Sequence, residues 1–76
     1  MFNRKNKDGF SFTKMYDLII TALIMEEEPY IVNHTDKNVT ILWKNNIVKI
    51  QNECLWFNNK RQNSVYNIIN AIKAGK

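Results

Sequence analysis

One cysteine, one histidine, one proline and two glycines are all that 76 residues hold of the types on which many functional sites depend. With Cys54 alone no intramolecular disulfide can form, and Cys54 with His34 falls short of the ligand set of a structural zinc site. No metal or other cofactor is therefore expected. Glycine occurs only at Gly9 and Gly75, which excludes a phosphate-cradling loop of any standard pattern. Apolar runs are short as well: the longest, Leu18 to Met25, contains Thr21 and lies far below the roughly 20 residues that cross a bilayer. The basic N-terminus leads into a patterned segment without a small-residue cleavage site, so no secretory signal is read and the expected location is cytoplasmic.

What is present describes a folded chain. Apolar residues make up 45% and charged residues 24%, too apolar for a disordered protein. A chain of this size supports one core of marginal stability and leaves little room for a lid or a deep cleft, which favours binding over catalysis. The net charge of +4 gives mild attraction to nucleic acid or to acidic protein surfaces. Asparagine, lysine and isoleucine are frequent, and all three have AT-rich codons. Short chains of that composition are common among accessory proteins of phages and mobile elements in low-GC bacteria.

Residues 1–9, with Arg4, Lys5 and Lys7, have no apolar period and read as a flexible basic arm. Residues 10–76 read as a single α+β domain. Ser11 can cap a helix from Phe12 to Glu27, with Phe10 and Met15 at the spacing of a hydrophobic staple. Its stripe would be Phe12, Tyr16, Ile19 and Leu23 flanked by Met15, Ile20 and Ile24, and Pro29 prevents continuation. Tyr30 to Val32 is a short β-rich run. Val39, Ile41 and Trp43 then alternate with Thr40, Leu42 and Lys44, and alternation resumes from Ile47 to Gln51. Asn45-Asn46 tolerates the positive φ of a type I′ turn, and a two-residue loop there sets Lys44 against Ile47, Trp43 against Val48 and Ile41 against Ile50. Cys54 to Phe57 follows a turn at Asn52-Glu53, with Leu55 beside Ile50, Phe57 beside Val48 and Trp56 outward beside Lys49. After a polar loop from Asn58 to Gln62, Asn63 caps a helix from Ser64 to Ala74 with the stripe Val65, Ile68, Ile69 and Ile72 and Gly75 at its C′ position. The expected order is α-β-β-β(-β)-α, an antiparallel meander packed on one face by two helices.

For chemistry, Cys54, His34 and Asp36 are the residues from which a cysteine hydrolase would be assembled, but no glycine-rich elbow accompanies Cys54. Glu26, Glu27 and Glu28 sit at a helix C-terminus, where negative charge is unfavourable, and suit a basic partner surface. Lys60 and Arg61, ahead of the last helix, form a candidate phosphate-binding pair. The outward sheet face offers Leu42, Lys44, Lys49 and Trp56, a mixture suited to a protein contact or to base stacking.

A helix, an antiparallel meander, then a helix preceded by Lys60-Arg61 resembles the chain order of the double-stranded-RNA-binding domain from Ser11 to Ala74. In place of that family's Gly-Pro-x-His loop stands Asn33-His34-Thr35-Asp36. The resemblance implies a nucleic-acid-binding alternative that would use Lys44, Lys49, Lys60, Arg61 and the basic arm. The leading expectation is a non-enzymatic module that binds a host protein or complex through Leu42, Lys44, Lys49 and Trp56, with the hydrolase third.

Overall fold

The computed structural model describes residues 9–36, 38–51 and 54–75, so the basic arm up to residue 8 and the turn at Asn52-Glu53 lie outside the described residues. Helix α1 (Phe12–Met25) opens on Ser11, whose hydroxyl accepts the Lys14 N–H at 3.2 Å, as its sequence position predicts. It ends two residues earlier than expected. Glu27 adopts φ +57°, its N–H reaches the Ile24 carbonyl, and the Glu28 N–H reaches the Leu23 carbonyl at 2.9 Å. Those two bonds are the Schellman pattern, with glutamate where glycine is usual.

Five strands follow as an antiparallel meander with neighbours in chain order: β1 (Ile31–His34), β2 (Asn38–Trp43), β3 (Asn46–Gln51), β4 (Cys54–Phe57) and β5 (Lys60–Gln62). The β3–β4 register is the expected one, pairing Val48 with Phe57, Lys49 with Trp56 and Ile50 with Leu55. Between β2 and β3 the register differs by two residues: Trp43 pairs with Asn46, Ile41 with Val48 and Val39 with Ile50. The turn is thus Lys44-Asn45, not Asn45-Asn46, and Lys44 carries the left-handed φ of +53°. Because side chains alternate with period two, a two-residue shift leaves every residue that stays within the two strands on its expected face.

Strand β5 replaces the loop expected from Asn58 to Gln62. Asn58 and Asn59 both have positive φ, +51° and +71°, as a type I′ turn requires. The Asn58 side chain reinforces it by accepting the Ile47 N–H at 2.8 Å, while the Asn58 backbone N–H donates to the Ile47 carbonyl. Helix α2 (Tyr66–Ala74) starts two residues later than expected, after Val65, and it is the buried Ser64 hydroxyl, one residue further back, and not Asn63 that accepts the Tyr66 N–H. Gly75 ends α2 with φ −77°, so it supplies no left-handed C′ conformation.

Both helices lie on one face of the sheet and pack on each other. The core joins Met15, Ile19, Ala22 and Leu23 of α1, the inward residues Val39, Ile41, Trp43, Val48, Ile50 and Leu55, and Val65, Ile68, Ile69 and Ile72 around α2. Trp43 stacks on Phe57 with ring centroids 5.9 Å apart. The buried stripe of α1 is narrower than expected. Phe12, Tyr16 and Ile20 are only partly covered and Ile24 is exposed, because that row turns towards the sheet edge, where Phe12 and Tyr16 meet the His34 ring.

Candidate interaction surface on the uncovered sheet face

Among the described residues no helix covers the second face of the sheet. Its side chains fall into rows fixed by the strand registers. One row runs Ile31, Leu42, Ile47 across three strands and is aliphatic. Ile31 is 66% exposed and Leu42 and Ile47 are each 37% exposed, so three large apolar side chains stand together in water. Beside the Ile31 end, Pro29, Tyr30, Trp43 and Lys44 join Ile31 and Leu42 around a surface depression of about 370 Å³.

The next row runs Asn33, Thr40, Lys49, Trp56, Arg61. Trp56 faces outward beside Lys49, as alternation predicts, but it is half-buried. The Arg61 guanidinium lies over its ring, 5.8 Å from the centroid, and its indole N–H is enclosed without a hydrogen-bond partner among the described residues. The indole is therefore less a protruding anchor than a floor, and the protruding apolar surface is the aliphatic row. Ile47 was readable for that role from alternation alone, whereas the short β1 pattern hid Ile31's register. The charged side chains that the described strands place on this face, Lys49 and Arg61, are both positive.

Lys44 borders the depression at the Ile31 end, but its ammonium turns away from the outward rows. Its ammonium donates to the Gly75 carbonyl at 2.7 Å and lies 3.2 Å from the Glu28 carboxylate, bridging the α1–β1 connection, the β2–β3 turn and the end of α2. The turn position explains it: a residue between two strands escapes the alternation that would have pointed it outward. Glu28, almost covered, thereby finds a role inside the fold.

Lys60 and Arg61 do not converge on the last helix either. As consecutive strand residues they point to opposite faces, Lys60 with Phe57 and Arg61 with Trp56, so no shared phosphate cradle forms at α2. Nor does the fold assemble Cys54, His34 and Asp36. Cys54 is on β4 in the outward row with Gln51, and His34 is on β1 facing α1. Three strand spacings separate them, about 14 Å at the usual interval. Among the described residues no cluster of three His, Cys, Asp or Glu side chains has the arrangement of a metal site, and no helix is long and apolar enough to cross a membrane.

Compared with protein-family models, curated proteins and solved structures, the chain matches none.

Proposed function

We propose that this protein is a non-enzymatic binding module whose uncovered sheet face docks on a partner protein. The AT-rich codon composition supports placing it among phage or mobile-element accessory proteins that inhibit or redirect a host macromolecular machine. The observation that carries the reading is the exposed row Ile31, Leu42, Ile47 on the face opposite both helices. Aliphatic side chains offer a base nothing to stack on, whereas they suit the apolar centre of a protein interface. Lys49 and Arg61 then stand at the rim, where positive charge steers an acidic partner surface and governs the rate of encounter.

A second reading, nucleic-acid binding through Lys49, Trp56 and Arg61, draws on the single sign of charge in that row. It is weakened by Trp56, whose ring is already overlaid by Arg61. Affinity capture from the source cell's lysate separates the two. A protein retained after nuclease treatment and at high salt, and lost with Leu42→Glu/Ile47→Glu in a variant of unchanged fold, is the expected result. Retention that vanishes with nuclease, falls steeply with salt and ignores Leu42→Glu/Ile47→Glu transfers the function to nucleic acid.

A further inference from the structure

The two edges of the sheet are unlike. Strand β5 is three residues long and carries Lys60 and Arg61, the short charged design that discourages pairing with another strand. Strand β1, Ile31–His34, carries no carboxylate, lysine or arginine. Its free hydrogen-bonding groups follow from the hairpin. The Thr35 N–H donates to the Asn38 carbonyl at 2.8 Å, which makes that pair a hydrogen-bonded one. Such pairs alternate along an antiparallel ladder, so Asn33 and Ile31 also bond to β2 while Val32 and His34 turn their N–H and C=O groups away from it. Among the described residues no strand meets them.

Apolar surface flanks this edge above and below. On the outer face Ile31 begins the aliphatic row. On the inner side the α1 row Phe12, Tyr16, Ile20, Ile24 runs at i, i+4 spacing, its first two rings against His34 and its last member 58% exposed. A strand added beside β1 would set alternate side chains under that row. The charge nearby has one dominant sign. All five carboxylates of the described residues, Asp17, Glu26, Glu27, Glu28 and Asp36, belong to α1, β1 and their flanks, and the one lysine or arginine among the described residues of that stretch, Lys14, lies over Phe10. Glu28 is matched by Lys44; Asp17, Glu27 and Asp36 are exposed.

We infer that the edge of β1 receives an extended basic segment of a partner protein as a sixth strand, apolar at alternate positions and lysine- or arginine-rich between them. This rests on the protein-binding reading and supplies its mode: backbone bonds at Val32 and His34 give affinity, the α1 flank selects side chains, and the carboxylates select charge. The probe is an acetylated and amidated peptide of alternating lysine and valine added to the full chain, followed by amide hydrogen exchange. The expected result is at least tenfold slower exchange at Val32 and His34, with no such change for the glutamate–valine peptide or for the lysine peptide with methylated backbone amides. His34→Pro, which deletes an outward donor without touching the β2 ladder, should remove the slowing at Val32. Ile24→Lys, at an exposed position, should weaken the peptide at least tenfold and keeps the test open if the proline variant does not fold. Unchanged exchange at Val32 and His34, equal binding of the glutamate peptide, or protection mapping to β5 overturns the inference. So does a natural partner that is lost with Leu42→Glu/Ile47→Glu but indifferent to Ile24→Lys and His34→Pro, a result that leaves the binding reading standing.

Discussion

Replacing Lys44 by methionine removes one charge from a point where three segments meet. The stem keeps its length and apolar packing, and the left-handed backbone at φ +53° is burdened equally by either side chain, so the substitution isolates the ammonium. Two interactions disappear. The pair with Glu28 joins a lysine that is 47% exposed to a carboxylate that is 9% exposed, and screening on the lysine side limits it to about 0.5–1 kcal/mol. The bond to the Gly75 carbonyl puts a cation at the C-terminus of α2 and adds about 0.3–1 kcal/mol. Lys44→Met should therefore destabilise by about 1–2 kcal/mol, lowering the melting temperature by roughly 4–15 °C in a domain of this size. Urea unfolding followed by the fluorescence of buried Trp43 measures it. A cycle with Glu28→Gln should give a coupling of about 0.5–1 kcal/mol, reduced in molar salt. Lys44→Gly should be milder than Lys44→Met, because relief of the positive φ offsets about 1 kcal/mol. A Lys44→Met protein as stable as its parent, or a coupling of zero, would refute the clasp.

Three further outcomes follow from the geometry. Glu27→Gly should stabilise by about 1 kcal/mol, because glycine adopts φ +57° at the Schellman position without the penalty glutamate bears; a destabilised variant in thermal melts contradicts this. Asn58→Ala should cost about 1–2 kcal/mol in chemical denaturation, since it leaves the Ile47 N–H without its acceptor and places alanine at positive φ; an effect near zero would detach that side chain from the β4–β5 turn. Ile68→Ala, at a fully buried site shared by both helices and the sheet, should cost about 2–5 kcal/mol and leave much of the population unfolded by circular dichroism.

The two helices, the inward set of the central strands and the outward direction of Trp56 were legible in the sequence because each rests on periodicity, and periodicity survives errors of detail. The β2–β3 register illustrates this: choosing Asn45-Asn46 over Lys44-Asn45 misplaced each cross-strand partner, yet Val39, Ile41, Trp43, Val48 and Ile50 stayed inside. The favoured turn dipeptide misled there because Lys44 reaches Glu28 and Gly75, and those partners adjoin it only after the chain has folded. Strand β5 escaped notice for the opposite reason. Lys60-Arg61-Gln62 has no apolar alternation, and its pairing is set by the turn before it, Asn58-Asn59, the same dipeptide that placed the β2–β3 turn one residue too late. At the candidate surface Leu42, Lys49 and Trp56 were found by alternation, whereas Ile31 required the register of an edge strand that four residues could not announce.

The strict meander has a consequence for the order of events in folding. Every strand pairs with its neighbour in the chain, so the sheet can grow hairpin by hairpin, closing only short loops at each step. The contact between α1 and α2 is different, since it brings together the first and last elements and waits until all five strands lie between them. During synthesis the apolar stripe of α1 leaves the ribosome first and meets its final partner last. A meander lacking α2 would leave part of the shared core, including the α1 side chains that face α2, open to water until that late docking.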